Sequence, residues 1–232
     1  MKILAIDTSG QQAGAAIVDE YITIGEIMIN AQSGPKTWHH SEILMPAIER
    51  LFALSRQNIE DIDYVAYTAG PGSFTGLRIG AATALGLARG VNKQTVAVPT
   101  LDALAYNVLG IGFEGCVVPL MDARRGQVYG AVYQSDERVT DYLALPVEEM
   151  LLHVASGSAI FIGDGAEAYS EIIQKKFPSA IFAPQTASRQ RPASVGLCAI
   201  KNFASLPKSP DNPVELIYVR DPQAVRTAKV MP

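Results

Sequence analysis

Residues 3–18 of this chain read ILAIDTSGQQAGAAIV, an apolar run followed by a polar turn and a second apolar run. The run Ile3–Ile6 predicts a strand that ends at the turn Asp7-Thr8-Ser9-Gly10. Ala13–Val18 predicts the returning strand, and the alternating apolar residues of Tyr21–Ile29 predict an antiparallel neighbour. The N-terminal stretch is therefore expected to form a meander of three strands.

The second half of the chain repeats this order. The apolar run Cys116–Met121 ends at a polar turn, and Gln127–Tyr133 predicts the returning strand. Later, Ala159–Ile162 precedes a glycine turn much as Tyr64–Thr68 does. These repeated patterns predict a duplicated α/β unit with mixed sheets and crossover helices, in lobes of residues 1–110 and 111–232. A shift of 115 residues gives three identities in sixteen positions, Asp7 with Asp122, Gln12 with Gln127 and Ala16 with Ala131.

Four helices are predicted between these strands. The first begins between Thr37 and Met45 and carries Pro46 inside its apolar stripe. The second spans residues 75–89, the third runs from Thr100 to before Gly110, and the last covers residues 194–204. We expect the last helix and the tail to be able to pack back onto the N-terminal lobe. Val214–Val219 predicts a final strand.

Charge and composition narrow the functional classes. The chain has 232 residues, 48% of them hydrophobic, and a net charge of −4, which is unlike a free-standing nucleic-acid binder. Residues 189–232 hold seven Lys/Arg against three Asp/Glu, which leaves −8 for the remainder. This basic segment is either a solvated surface or a contact for RNA or an acidic partner. Without a signal peptide or an apolar run long enough for a membrane, the expected location is the cytoplasm.

The turns at the strand ends suit phosphate chemistry. In Asp7-Thr8-Ser9, hydroxyls and amides could meet phosphate oxygens while the carboxylate orders Mg²⁺, as in actin-like kinases and ATPases. The alternative is a turn whose side chains satisfy the backbone. That alternative is stronger at Asp122, which is followed by Ala123 and two arginines. Gly163-Asp164-Gly165 admits close approach of a nucleotide or forms a tight strand-to-helix turn, and we favour the turn.

A stripe of small residues marks the second helix. Glycine in a helix costs about 1 kcal/mol relative to alanine, so a stripe at four-residue spacing indicates close approach of another element. That element is either the first helix of the same chain or a helix of a partner. The stripe consists of Gly76, Gly80, Ala84 and Ala88.

The sequence lacks the residue spacings that metalloproteases and serine hydrolases require. His39 and His40 are adjacent, the third histidine is His153, and no HxxxH pair exists to hold zinc on a helix. A GxSxG nucleophile elbow is also lacking. The glycine loop at residues 70–76 is not a Walker A loop, since no Lys-Ser/Thr pair follows it.

Several strings resemble the bacterial TsaB (YeaZ) family over nearly the whole chain. They are MKILAIDTS at 1–9, HSE at 40–42, AGPGSFTGLRIG at 69–80, MDARRGQVY at 121–129 and YVR at 218–220. The resemblance implies an actin-like (ASKHA, RNase H-like) fold and a role in making threonylcarbamoyladenosine in tRNA. It implies a non-catalytic subunit that docks the catalytic paralogue TsaD, works with the ATPase TsaE and meets tRNA only through the complex.

The family resemblance also implies site residues. We expect the two N-lobe helices to dock TsaD, or a second copy of the chain when TsaD is absent, through Leu44, Ile48, Leu51, Phe52, Gly76, Arg78, Gly80 and Ala84. No catalytic or metal-binding residue and no required cofactor is expected. A vestigial nucleotide site, with at most weak binding of ATP, ADP or Mg²⁺, would comprise Asp7, Thr8, Ser9, Asp122, Gly163 and Gly165. The alternative is an actin-fold ATPase or kinase that uses the Asp7-Thr8-Ser9 turn directly.

Overall fold

The computed structural model describes residues 1–31, 39–109, 111, 113–155, 157–206, 208–209 and 216–220. Gly110, which ends the predicted N-terminal lobe, lies outside the described residues. So do residues 207, 210–215 and 221–232 of the basic segment, which include the start of the predicted strand Val214–Val219. The strands are β1 Ile3–Asp7, β2 Gln12–Val18, β3 Thr23–Asn30, β4 Tyr64–Gly70, β5 Gln94–Pro99, β6 Cys116–Arg124, β7 Gln127–Gly130, β8 Tyr133–Gln134, β9 Glu137–Arg138, β10 Leu143–Pro146, β11 Ala159–Ile162, β12 Ala180–Phe182 and β13 Lys208–Ser209. The helices are α1 His40–Ser55, α2 Phe74–Gly90, α3 Thr100–Tyr106, α4 Val147–Met150, α5 Asp164–Ala168, α6 Ser170–Lys176 and α7 Pro192–Lys201.

Two mixed sheets share one strand order. In the described residues the first sheet runs β13-β5-β4-β1-β2-β3, and the second runs β12-β11-β6-β7-β10, with β8 and β9 beside β6. The pairs β1–β2 and β2–β3 are antiparallel, while β1–β4 and β4–β5 are parallel. The second sheet repeats these directions in β6–β7, β7–β10, β6–β11 and β11–β12. The shared order supports the predicted duplication.

Both faces of the first sheet are covered. Leu4 and Ile6 point to the face that carries α1 and α2, whereas Ile3 and Ala5 pack against α7. This explains why Ile3–Ile6 is continuously apolar, because a strand buried on both sides has no polar face. The packing also places α7 from the second half of the chain on the first sheet.

Helix α3 makes the reciprocal contact. Leu101 and Leu104 of α3 pack in the second sheet with Val117 and Ile160. The two halves therefore exchange helices, and the core does not divide cleanly at the chain junction. No described helix has both the length and the apolar composition to cross a membrane.

Three element predictions need correction. The strand predicted over Gln127–Tyr133 is interrupted, because the Val132 amide donates to Thr140 Oγ1 at 3.0 Å instead of extending the ladder. Within the described part of the predicted strand Val214–Val219, residues 216–219 form no strand, and the Ile217 amide donates to the Ala69 carbonyl at 2.7 Å. Pro46 lies inside α1 as predicted, but on the exposed side of the helix rather than in its apolar stripe. The helix itself begins at His40, within the predicted range.

Candidate functional site

A cleft of about 640 Å³ is lined by the turn that follows β1 and by the C-terminal end of β6. The N-terminus of α2 forms one wall, and residues 121–124 form the opposite wall. Ser9 and Asp122 line it, whereas Asp7, Thr8, Gly163 and Gly165 do not reach it. The structure thus brings the two predicted turns to one site but exposes only part of each. The complete lining is Ser9, Gly10, Gln11, Ala31, His39, His40, Gly72, Ser73, Phe74, Thr75, Gly76, Ile79, Met121, Asp122, Ala123, Arg124, Tyr129, Asp164, Tyr218 and Arg220.

The first turn is closed on itself. Asp7 Oδ1 accepts hydrogen bonds from the Ser9 amide at 2.8 Å and the Ser9 hydroxyl at 2.7 Å, with Thr68 Oγ1 at 3.4 Å. The second carboxylate oxygen of Asp7 is buried without a partner in the described residues. Burial raises the pKa of Asp7 from 3.8 to about 6, against the lowering effect of the Ser9 hydrogen bonds. The three turn residues are 3%, 0% and 1% exposed.

Helix α2 is what closes the turn. Thr8 Oγ1 donates to the Gly76 carbonyl at 2.7 Å, and the Ser73 amide donates to the Ser9 carbonyl at 2.7 Å. A Cβ at Gly76 would lie 2.1 Å from the Thr8 carbonyl oxygen, and one at Gly80 would lie 2.3 Å from Thr8 Oγ1. These glycines therefore allow the helix to lie directly against the turn. Ser73 caps the helix by accepting the Gly76 amide at 3.2 Å.

The glycine stripe is therefore internal, which corrects the predicted docking surface. Gly76, Gly80 and Ala84 are buried against the chain's own first sheet, and the side chains predicted on α1 join the same core. That part of the prediction is wrong because the stripe faces β1 and Thr8 rather than solvent. Phe52 is half-buried, and Arg78 is exposed. The predicted interface residues buried by the chain itself are Leu44, Ile48, Leu51, Gly76, Gly80 and Ala84.

The second turn carries the charged groups of the cleft. Asp122 accepts the Arg124 amide at 2.8 Å and pairs with the Arg124 guanidinium at 3.2 Å. Its own amide donates to Asp164 Oδ1 at 3.1 Å. Burial raises the pKa of Asp164, and the neighbouring Asp122 charge raises it further, while hydrogen bonding from the Asp122 amide opposes both. Asp122 thus serves its own turn, as the alternative reading predicted.

The glycine turn after β11 is a tight strand-to-helix connection. Gly163 has φ of +109°, a backbone conformation that favours glycine, and it immediately precedes α5. A Cβ there would lie 2.1 Å from the Leu120 carbonyl oxygen. Gly163 and Gly165 therefore fit α5 against β6 and do not line the cleft.

The C-terminal segment 216–220 supplies site residues that the sequence reasoning missed. Tyr218 lies beside Phe74, with ring centroids 5.4 Å apart, and Arg220 donates to Gln127 Oε1 at 2.7 Å and the Ala123 carbonyl at 2.9 Å. The segment thus joins α2 to the second turn along the cleft. The family string YVR at 218–220 marked these residues as noteworthy. It did not indicate that they lie beside Phe74 and Ala123, which come about a hundred residues or more earlier in the chain.

The two histidines of the cleft offer no metal geometry. His39 and His40 both line it, and burial lowers the pKa of His40, with a smaller contribution from His39. Among the described residues, no three His, Cys, Asp or Glu side chains come together as a metal site would require.

Comparisons with known proteins identify the family of this chain. Residues 36–226 match the family model "TsaD: tRNA N6-adenosine threonylcarbamoyltransferase". The chain is 32% identical over 180 residues to the tRNA threonylcarbamoyladenosine biosynthesis protein TsaB of Bacillus subtilis, covering 75% of this chain and 76% of that protein.

Solved structures show the same fold. YeaZ from Pseudomonas aeruginosa superposes with a TM-score of 0.75 at 22% identity, covering 94% of this chain and 99% of that one. A polyphosphate/ATP-glucomannokinase from Arthrobacter gives a TM-score of 0.53 at 13% identity, covering 88% and 98%. The predicted actin-like fold is thereby confirmed.

Proposed function

The chain belongs to the TsaB family of tRNA threonylcarbamoyladenosine biosynthesis proteins, and we propose that it is the non-catalytic, activating subunit of that synthesis. In this proposal the paralogue TsaD transfers the threonylcarbamoyl group and TsaE supplies ATPase activity. The chain docks TsaD, pairs with a second copy of itself when TsaD is absent, and meets tRNA in the assembled complex in the cytoplasm. It requires no cofactor of its own.

One observation carries the non-catalytic assignment, namely the occupation of the first turn by α2. A phosphate at this turn would need the Thr8 and Ser9 hydroxyls and the turn amides as donors. Here the Thr8 hydroxyl donates to Gly76 and the Ser9 amide and hydroxyl donate to Asp7. These three donors are therefore engaged within the chain, and Asp7, Thr8 and Ser9 are each at most 3% exposed.

Because the inner faces of α1 and α2 pack on the first sheet, we assign the docking surface to the faces of these two helices that point away from the sheet. On α2, Ala82 and Gly86 are exposed, and a Cβ at Gly86 would meet nothing within 4 Å. On α1, Met45 is 47% exposed and Leu54 is 62% exposed. A helix-interior glycine without a packing reason in its own chain costs about 1 kcal/mol, so close approach of a partner would explain Gly86. We place TsaD docking on this outer side of α1 and α2.

The test compares leucine at two exposed small residues, Gly86 of α2 and Ala168 of α5. Gly86→Leu should leave the fold intact, since its Cβ enters open space, but should abolish co-purification of TsaD. Ala168→Leu, at an exposed position away from α1 and α2, should not affect TsaD capture. Thermal melts of both variants report on folding, and the mass of the purified chain with and without TsaD reports on the homodimer. Equal TsaD capture by both variants would remove this docking surface.

A separate measurement addresses the non-catalytic assignment. The purified chain should not turn over ATP, and the Asp7→Ala variant should behave identically. Turnover by the chain alone that disappears in Asp7→Ala would instead establish the ATPase or kinase alternative.

A further inference from the structure

One edge of the cleft carries a cluster of guanidinium groups and aromatic rings, which we call the arginine–aromatic patch. It consists of Phe74, Arg78, Arg124, Tyr218 and Arg220. The Arg78 guanidinium carbon lies 3.7 Å from the Phe74 ring centroid, and Arg78 Nε donates to the Tyr218 hydroxyl at 3.3 Å. Phe74 is 37% exposed and Tyr218 is 43% exposed, so both rings reach solvent although they pack on one another.

Arg220 and Arg124 extend the patch toward the second turn. Arg220 is fixed by its bonds to Gln127 and the Ala123 carbonyl, and its guanidinium lies 5.8 Å from the Tyr129 ring centroid. Arg124 stands beside it with 69% of its side chain exposed. Residues from α2, the second turn and the segment 216–220 thus combine into one surface that no single sequence string encodes.

The charge of this patch is largely uncompensated. Within the part of the chain that the structure describes, Arg78 and Arg220 make no ion pair, and Arg124 pairs only with Asp122. The whole chain carries −4, so guanidinium groups without carboxylate partners stand out against an acidic background. Arginine forks match phosphate oxygens, and exposed rings stack on unpaired bases. Rigid hydrogen-bonded side chains also lose less entropy when a ligand binds.

We propose that the arginine–aromatic patch binds a single-stranded segment of RNA, with phosphates at Arg124 and Arg78 and an unpaired base against Tyr218. The proposal rests on the role of the family in tRNA modification, and it is independent of TsaD docking. It assigns RNA contact to the cleft, where Tyr218 and Arg220 are the residues of the basic segment 189–232 that take part. An acidic protein surface is the competing occupant, and the experiment separates the two.

The experiment measures binding of the purified chain to a fluorescent single-stranded RNA, to the duplex formed with its complement, and to an unmodified tRNA transcript, over a range of salt. Tyr218→Ala should weaken single-stranded RNA and tRNA binding about tenfold, within the range expected for loss of one stacked base. Arg124→Gln should reduce the slope of log affinity against log salt by about 0.7. The control variants Tyr21→Ala and Lys176→Gln alter an exposed ring and an exposed cation away from the patch and should bind as the parent chain does.

Measuring TsaD capture and RNA affinity on the same variants separates failure of the RNA proposal from failure of the docking proposal. TsaD capture, measured on the same variants, should be unchanged by Tyr218→Ala and Arg124→Gln. Loss of TsaD capture with unchanged RNA affinity would make the patch a protein interface and overturn the proposal. Absence of RNA binding by the parent chain at low salt, or equal weakening by the control variants, would overturn it as well. Failure of TsaD to bind the parent chain would contradict the docking proposal alone.

Discussion

Gly80 shows how a single residue decides where a helix lies. Its sequence spacing with Gly76 and Ala84 predicts that something approaches α2 closely, and Thr8 is what does so. Sequence alone could not identify the neighbour, because a small-residue stripe fits a strand turn of the same chain as well as a partner helix. The structure decides between them by placing Gly80 over Thr8 and leaving Gly86 open.

Gly80→Ala should therefore destabilise the fold. The added Cβ would lie 2.3 Å from Thr8 Oγ1, a group held by its hydrogen bond to Gly76. We expect the free energy of unfolding to fall by about 1–3 kcal/mol, the usual cost of overpacking. Gly86→Ala is the control and should gain up to about 1 kcal/mol from helix propensity. Urea denaturation measures both, and an unchanged midpoint for Gly80→Ala would contradict the packing argument.

Asp7 makes stability depend on pH in a direction opposite to that of most carboxylates. Its pKa is about 6 in the folded chain against an ordinary value of 3.8, so the folded state binds more protons between these values. Stability should fall as pH rises through this window, and the loss should be complete above pH of about 6. Asp7→Asn removes the buried charge and should raise the free energy of unfolding by about 1–3 kcal/mol at neutral pH.

The gain in Asp7→Asn should shrink as the pH is lowered from about 6 to about 4 and should be absent below that, which thermal melts across the pH range would show. Asp19→Asn is the matched control, because hydrogen bonds from the Tyr21 and Ile22 amides lower the pKa of this exposed carboxyl. It should lose stability at neutral pH. A destabilised Asp7→Asn at neutral pH would indicate that the carboxylate is required as an anion.

At the scale of elements, the strands were the most predictable part. Ile3–Ile6 and Ala159–Ile162 are short apolar runs bounded by turn residues, and both are strands in the structure. The returning strand of the second half was harder, since Val132 bonds to Thr140, eight residues away, in competition with the ladder. Such long-range choices leave no local periodicity to detect.

Helix α7 depends on one carboxylate from β3. Glu26 accepts the Arg191 guanidinium at 2.5 Å and the Ala193 amide at 2.9 Å, so it satisfies an otherwise unpaired donor at the start of the helix. Glu26→Ala should lower the free energy of unfolding by about 1–3 kcal/mol, because both partners lose their acceptor. Glu20→Ala, which removes an exposed pair with the N-terminus, should cost less than about 1 kcal/mol. Equal effects in chemical denaturation would show that Glu26 has no special role.

At the scale of the whole molecule, the sequence predicted the duplication better than it predicted which sheet each of α3 and α7 covers. The two turns at Asp7 and Asp122 align by a simple shift, and the sheets built around them share strand order and direction. The sequence analysis allowed the last helix, α7, to pack onto the N-terminal lobe but did not require it. Packing of α3 onto the second sheet was not foreseen, because its apolar residues could equally cover either sheet.

The hydrogen bonds around Asp102 join the two halves where α3 crosses. Tyr133 and Tyr142 of the second half both donate their hydroxyls to Asp102 Oδ1, the latter at 2.7 Å. Burial is the main cause that raises the pKa of both tyrosines, and the Asp102 charge raises it further. Both tyrosine hydroxyls therefore remain protonated, and able to donate, at neutral pH.

Asp102→Ala should strip both hydroxyls of their acceptor, and Tyr133, only 3% exposed, has little access to water as a substitute. Two lost partners predict a fall of about 2–4 kcal/mol in the free energy of unfolding. Tyr133→Phe in the Asp102→Ala background should cost less than it does in the parent chain, because the unpaired hydroxyl is removed. Since α3 and α7 cross between the sheets, calorimetry should show one transition that shifts as a unit. Two transitions, of which Asp102→Ala moves only one, would mean that the halves fold independently despite the exchange.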